Sequence, residues 1–222
     1  MCGRFAQISR LKEVLEELAR RLEQEEVNDN LTGRYNIAPQ SMVKILRVND
    51  QKVIVDNVHW GWKPFWAKDM QPPINARIEK VASSKFYSQI WPHRCLIPAN
   101  GWYEWVKEGS SKQPYYIHLK TNKPMFFAGI GHFKENSDNN GFVIITADSQ
   151  GGMIDIYDRR PVVLTPEYAN EWIDSNTTLT RAEKIINDHY RKPKDFDWYK
   201  VSEAVGNVRN QGKELIKPID SE

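Results

Sequence analysis

Leu11, Val14, Leu15, Leu18 and Leu22 recur at three- and four-residue steps with charged residues between them. That spacing predicts an amphipathic helix from about Leu11 to Gln24. Ser9 is placed to cap it, and Asn28-Asp29-Asn30 with Gly33 end the region. Beyond that point the pattern changes. Short runs rich in Val, Ile and aromatic residues predict strands at Met42–Val48, Lys52–Trp60, Cys95–Trp105, Tyr115–Lys120, Met125–Phe133, Phe142–Ala147 and Pro161–Leu164. Turn formers at Asn49-Asp50, Glu108–Ser111, Thr121–Lys123 and Glu135–Gly141 separate them, a spacing that favours antiparallel hairpins over crossover helices. Short helices are expected at Ser84–Ile90, Pro166–Ile173 and Thr180–Tyr190. The expected fold is a single α+β domain over 1–222, an antiparallel, barrel-like β core flanked by short helices, with the last few residues disordered.

Composition narrows the class. The chain has 222 residues, 40% hydrophobic and 27% charged, so it can bury roughly 70% of its unfolded surface. Disordered, collagen-like and low-complexity classes are excluded for most of it. Two cysteines, Cys2 and Cys95, cannot make a disulfide scaffold. The longest apolar run, Met125 to Phe133, contains His132 and is too short to span a bilayer. No apolar signal core follows the first charges. The expectation is a cytoplasmic, monomeric protein with reduced thiols and no membrane partner. The net charge of +2 argues for no partner in bulk, but residues 11–30 carry −4 and the chain beyond them +4. A moderately basic body permits a nucleic-acid face; an ordinary solvated surface explains the charge equally well.

Cys2 carries the distinctive chemistry. If Met1 is removed, Cys2 holds an α-amine and a thiol on adjacent carbons. The amine, with a pKa near 7.7–8.0, is partly neutral at physiological pH. It can attack an aldehyde to form a Schiff base, and the thiol can then close on the imine carbon as a five-membered thiazolidine. On position alone, a start-codon neighbour of no importance is an equal reading. Cys95 lies in the apolar stretch Arg94-Cys95-Leu96-Ile97-Pro98 and reads as an ordinary buried cysteine.

Several segments concentrate polar and aromatic residues: Met1-Cys2-Gly3-Arg4-Phe5, Gly33 to Pro39 (GRYNIAP), Trp60-Gly61-Trp62 with Trp66, Pro72 to Glu79 (PPINARIE), Gly101 to Trp105 (GWYEW), Asp158 to Pro161 (DRRP) and Val205 to Gly212 (VGNVRNQG). Together, and in this order from Cys2 to about Pro218, they resemble the SOS-response-associated peptidase family, whose members are also called abasic-site processing proteins. The resemblance implies one α+β domain with a barrel-like core and a positively charged groove for single-stranded DNA. It implies that a processed N-terminal Cys forms a thiazolidine with the ring-opened aldehyde of an abasic site and so shields the lesion. Thiol autopeptidase and abasic-site lyase activities are also implied.

Carried onto this sequence, the resemblance makes Cys2 the nucleophile. Asn75 holds the aldehyde or the Cys2 amine, and Glu104 is the general acid/base. A carboxylate between Trp102 and Trp105 is placed for a pKa raised by desolvation, which suits proton transfer near neutrality. Arg4, Arg77 and Arg159, inside matched motifs, are candidate phosphate clamps, and Pro39, Trp62 and Trp66 resemble the family's apolar wedge. Asn36, Asn207 and Thr146 are placed along the same groove, while Trp60 is expected in the core. No cysteine–histidine cluster has zinc spacing, no Gly-rich phosphate loop follows a strand and no Gly-x-Ser-x-Gly elbow occurs, so neither a metal nor an organic or nucleotide cofactor is expected. The partner implied is single-stranded DNA with abasic sites, engaged at the nucleoid on damage if the cell is bacterial.

Two other readings stay open on sequence. N-terminal-Cys glutaminases and amidohydrolases also begin Met-Cys-Gly, although Arg4 stands where they usually have an apolar residue. A non-catalytic reader of modified or single-stranded DNA is the other. One position departs from the family pattern: Tyr157 stands in Ile156-Tyr157-Asp158-Arg159 where a His is usual. A phenol with a pKa about 10 donates a hydrogen bond but is a poor base near pH 7. Retained crosslinking with slow release or nicking is the consequence. Tyr157→His is expected to raise the rate of strand nicking or of crosslink reversal on abasic DNA, measured by denaturing gel; an unchanged rate in both would refute this role for position 157.

Overall fold

The strands assemble into two stacked sheets. The computed structural model describes residues 2–18, 33–151, 153 and 158–219. The first sheet has the order β13 (Phe196–Lys200), β8 (Ser111–Leu119), β7 (Gly101–Glu108), β1 (Phe5–Gln7) and β2 (Arg34–Ile37), antiparallel throughout. The second runs β11 (Arg159–Pro161), β10 (Gly141–Asp148), β9 (Met125–His132), β6 (Arg94–Ala99), β3 (Met42–Asn49) and β4 (Lys52–His59), with β12 (Val163–Leu164) on β9 and β5 (Asn75–Arg77) on β10. The β5–β10 pair is parallel. The expected antiparallel core is found apart from that pair, while the expected barrel is corrected. Among the described residues neither sheet closes, one ending at β13 and β2 and the other at β11 and β4. The apolar faces are satisfied by stacking instead of by closure.

Side-chain alternation sets the layers. On β9, Phe127 points into the core between the sheets with Phe5, Ile37, Trp102, Ile117 and Phe196 of the first sheet. Phe126, Ala128 and Ile130 point the other way, into a second core built with α1 (Leu11–Glu17), α3 (Pro166–Ile173) and α4 (Leu179–Asp188). The second sheet is thus covered on both faces. The far face of the first sheet, with Ala6, Tyr103 and Tyr116, packs against Val201, Val205 and Leu215 near the C-terminus. Gln7, 4% exposed, ties the sheets together: its Nε2 donates to the Lys44 and Pro98 carbonyls at 2.9 Å each.

The run expected as one strand over Cys95–Trp105 is two strands in different sheets. It breaks at Asn100, whose Oδ1 accepts from the Ile8 and Ser9 N–H groups at 2.7 and 3.0 Å and whose Nδ2 donates to Ser9 Oγ at 2.8 Å. The Ser9 hydroxyl is therefore engaged at this corner. The N-cap of α1 is Arg10, its N–H accepted by the Glu13 carboxylate at 3.1 Å. The expected remainder of that helix, to Gln24, lies outside the described residues. Pro161–Leu164 also divides, because the chain leaves β10 at Pro161 and joins β9 at Val163; a proline cannot continue donating to a ladder.

Pro166–Ile173 forms as expected, and α4 begins at Leu179 with Thr178 as its cap. Ser84–Ile90 is a series of turns, and the helix nearby is the four-residue α2 (Ile78–Val81). The unanticipated strands β1, β2, β5 and β13 have three to five residues each, too few for a period to register. Three of them, β1, β2 and β5, carry residues of the matched motifs.

Gly101 follows the corner and has no room for a side chain. A Cβ there would meet the Tyr116 ring at 2.3 Å and the Ile117 carbonyl oxygen at 2.6 Å. Gly101→Ala is expected to destabilise the protein by about 1–3 kcal/mol. That corresponds to a fall in Tm of about 2–4 °C per kcal/mol in thermal unfolding followed by circular dichroism.

Candidate active site and nucleic-acid face

β1 brings Cys2 to Glu104. Phe5 faces Trp102 across the antiparallel β1–β7 pair, and the Tyr103 N–H donates to the Arg4 carbonyl at 2.9 Å. The chain before Phe5 therefore runs past Tyr103 toward Glu104. Trp102 and Glu104, two residues apart on β7, share the face turned to the inter-sheet core. Cys2 is in that same core, with 0% exposure, and Glu104 is 3% exposed. Burial pushes the Glu104 carboxyl up to about 8, with the Asp158 carboxylate adding to the rise. The carboxyl is thus mainly protonated at pH 7. Burial also pushes the Cys2 thiol well up, with Glu104 adding to it and the Arg4 backbone N–H opposing it. The thiol is held as SH.

Asn75 reaches the same point from the second sheet. β5 lies parallel to β10, with Asn75 opposite Ile144 and Arg77 opposite Thr146. Ala76 is buried in the helix-side core, so Asn75 and Arg77 project together on the other face. Asn75 Nδ2 donates to the Cys2 carbonyl at 3.0 Å. Its Oδ1 is buried with no hydrogen-bond donor among the described residues, and the Tyr87 hydroxyl holds its main chain by donating to the Asn75 carbonyl at 3.1 Å. One side chain is thus anchored on the Cys2 backbone and keeps a free acceptor. Cys2, Asn75 and Glu104 are brought together; Tyr157 lies outside the described residues.

The proposed DNA contacts divide by exposure. Arg77 is exposed, and Trp66 is 59% exposed beside Phe65 at 76%. Trp66 meets the Phe86 ring edge-on at 5.7 Å, and Phe86 in turn meets Trp62 at 6.0 Å. Trp62 itself is 2% exposed, so the aromatic surface is offered by Trp66. Pro39 is half-buried, and Trp60 is fully buried with its indole N–H on the Ile74 carbonyl at 3.0 Å. Thr146 is fully buried.

Asn36 and Arg4 form a clasp. Arg4 Nη1 donates to Asn36 Oδ1 and to the Val205 carbonyl, both at 2.8 Å. Asn36 Nδ2 donates to the carbonyls of Val205, Asn207 and Asn210. These bonds secure the segment 205–212 against β2 and leave Asn207 exposed.

Arg159 is 7% exposed. Its Nη1 is shared by the Glu79 and Asp148 carboxylates, and its Nη2 donates to Glu79 Oε2 at 3.0 Å and the Thr146 carbonyl at 2.7 Å. The hydrogen bond from Arg159 holds the Glu79 carboxyl below its usual range.

The sequence reading assigned no role to Glu79 or Asp148. Glu79 stands in the PPINARIE segment, but nothing in that segment indicates its partner. Asp148 faces Arg159 across the β10–β11 pair, a register not readable from either stretch alone. Ser149 and Arg160 were also missed. Both line a small crevice with Glu104 and Trp102. Arg160 is 1% exposed, its charge facing the Tyr190 ring at 4.9 Å and the Phe196 ring at 5.8 Å. Cys95, fully buried, packs between the sheets, and burial pushes its thiol far up.

Comparison with known proteins points one way. Residues 1–208 match the family described as SOS response associated peptidase (SRAP). The chain is 42% identical over 223 residues to abasic site processing protein YedK of Escherichia coli (strain K12), covering 99% of this chain and 100% of that one. It is 30% identical to abasic site processing protein YoqW of Bacillus subtilis (strain 168), covering 98% of this chain and 99% of that one. Among solved structures, a phage-related protein from Bordetella bronchiseptica superposes with a TM-score of 0.76 at 35% identity, covering 91% of this chain and 95% of that one. A shared sheet arrangement and a family match that takes in the residues around Cys2 lead to one conclusion: this chain belongs to the SOS response associated peptidase (SRAP) family.

Proposed function

We propose that this protein processes abasic sites in single-stranded DNA by joining Cys2 covalently to the lesion. The observation that carries the reading is the convergence of a buried Cys2, a mainly protonated Glu104 and an Asn75 bonded to the Cys2 backbone. The relatives' names supply the substrate class. While Met1 is attached, the Cys2 nitrogen is a peptide nitrogen and cannot act as a nucleophile. Removal of Met1 releases the amine.

The chemistry then runs in two additions. The neutral Cys2 amine attacks the aldehyde carbon of the ring-opened sugar and gives a carbinolamine. Glu104, as the acid, protonates the departing hydroxyl; water leaves and an imine forms. The thiol adds to the imine carbon, its proton passes to nitrogen, and the thiazolidine ring closes. Asn75, with its unpartnered Oδ1, accepts a hydrogen bond from the amine and holds its lone pair toward the aldehyde. The same carboxyl can return a proton for reversal, or assist the elimination that nicks the strand.

The exposed Arg77 and Trp66 are the first contacts for the strand, a cation for phosphate and an indole for base stacking. Arg159 and the side chain of Asn207 continue that path. Trp62 and Thr146 shape the groove from beneath, and Arg4 with Asn36 holds segment 205–212 along its side.

Met1-processed protein incubated with single-stranded DNA bearing one abasic site is expected to give, on a denaturing gel, a band shifted by about one protein mass. Cys2→Ser keeps the amine but cannot close the sulfur ring, so the stable band is lost, and Cys2→Ala behaves alike. No shifted band from processed protein would refute the reading.

The crosslinking rate is expected to rise with pH as the amine, pKa near 7.7–8.0, loses its proton. It then falls above about 8 as Glu104 loses its own. Glu104→Gln is expected to slow crosslinking by about 10²- to 10⁴-fold and to abolish the alkaline fall. An unchanged rate and pH profile in the Glu104→Gln variant would remove Glu104 from the chemistry.

A further inference from the structure

We propose that Asp148 is an internal competitor for the DNA backbone: in the free protein its carboxylate occupies the place on Arg159 that a phosphate takes when single-stranded DNA binds. The inference rests on the DNA-binding reading above and adds a residue that sets affinity. Three observations carry it. Arg159 is almost fully buried with its Nη1 and Nη2 groups already engaged, by Glu79, Asp148 and Thr146. A phosphate can therefore reach those N–H groups only by displacing a ligand. Two carboxylates on one guanidinium also leave this group net negative, a charge that repels a phosphate.

The third observation identifies which ligand leaves. Glu79 grips Arg159 through both carboxylate oxygens and is 47% exposed, whereas Asp148 makes a single contact and is 72% exposed. Asp148 is the last residue of β10, directly opposite Arg159 on β11. It can swing into solvent without breaking a strand bond, while bidentate Glu79 keeps the guanidinium oriented. On the opposite side of β10, Thr146 pairs with Arg77, an exposed cation. Displacement of Asp148 would turn a neutralised guanidinium into a second phosphate contact beside Arg77.

The test measures equilibrium binding of a fluorescent oligothymidine without abasic sites, so that Cys2 chemistry does not enter. Asp148→Ala and Asp148→Asn are expected to bind about three- to tenfold more tightly than wild type at low salt. Their dependence of log affinity on log salt is expected to be steeper by about one released counterion. In an Arg159→Ala background the gain disappears, because the competitor has nothing left to block.

An equal gain in both backgrounds would reduce Asp148 to a remote negative charge and overturn the proposal. Unchanged or weaker binding by both folded Asp148 variants would overturn it as well, leaving Asp148 only as a support for Arg159. Wild-type protein that binds no single-stranded DNA would instead overturn the reading on which the proposal stands, and the proposal with it. Binding that is indifferent to Asp148 overturns the proposal alone.

Discussion

A carboxyl group kept neutral between two sheets is the constraint on which the rest of this structure depends. Glu104 shares its strand face with Trp102 and lies in the layer that holds Cys2. The raised pKa, about 8, has a thermodynamic sign. A carboxyl whose folded pKa lies above its unfolded value stabilises the fold relative to the unfolded chain at acid pH. That contribution is complete below the unfolded pKa, near 4.5. It is lost progressively as pH rises to about 8. At neutral pH the fold therefore keeps this residue at a cost to stability, a burden usually found where a group serves chemistry. Around it, β1 brings Cys2 into the same layer and Asn75 bonds to the Cys2 backbone.

Short, pinned segments do this. β1 and β5 have three residues each and contribute little as isolated elements. Their positions come from the sheets they join: β1 between β7 and β2, β5 beside β10. Asn100 and Gly101 turn the chain from one sheet to the other, and Gln7 bonds back across the gap. Cys2 and Asn75 consequently approach one another from separate sheets, joined by a single hydrogen bond of 3.0 Å. Precision of this kind requires both sheets to be complete, so the site and the inter-sheet core are stabilised together.

The polar face shows the opposite economy. Two of its arginines are supplied with protein acceptors before any ligand arrives. Arg4 is held by Asn36 and the Val205 carbonyl, and Arg159 by two carboxylates and the Thr146 carbonyl. A buried guanidinium without such partners is costly. The same bonds position the cations and temper their attraction for an anion. Specificity for a lesion benefits from that restraint, because ordinary single strands present the same phosphates as damaged ones.

The sequence by itself determined the local chemistry. The pairing of amine and thiol at Cys2, the carboxylate between two tryptophans and the order of the motifs are properties of contiguous residues. So are the long apolar strands and α3, because a repeated period or a proline at a helix start acts within one segment. Tertiary structure alone decided which apolar face met which. It opened the expected barrel into two stacked sheets, split the run at Asn100 and turned the Ser9 hydroxyl toward that corner. It also buried Trp62 and Thr146 while exposing Trp66, and placed Glu79 and Asp148 on Arg159. The physical reason is common to all of these. Burial, strand register and ion pairing depend on residues brought together from separate segments, 11 positions apart in Arg159–Asp148, 80 in Arg159–Glu79 and 91 in Asn100–Ser9, and no pattern within one segment encodes its partner in another.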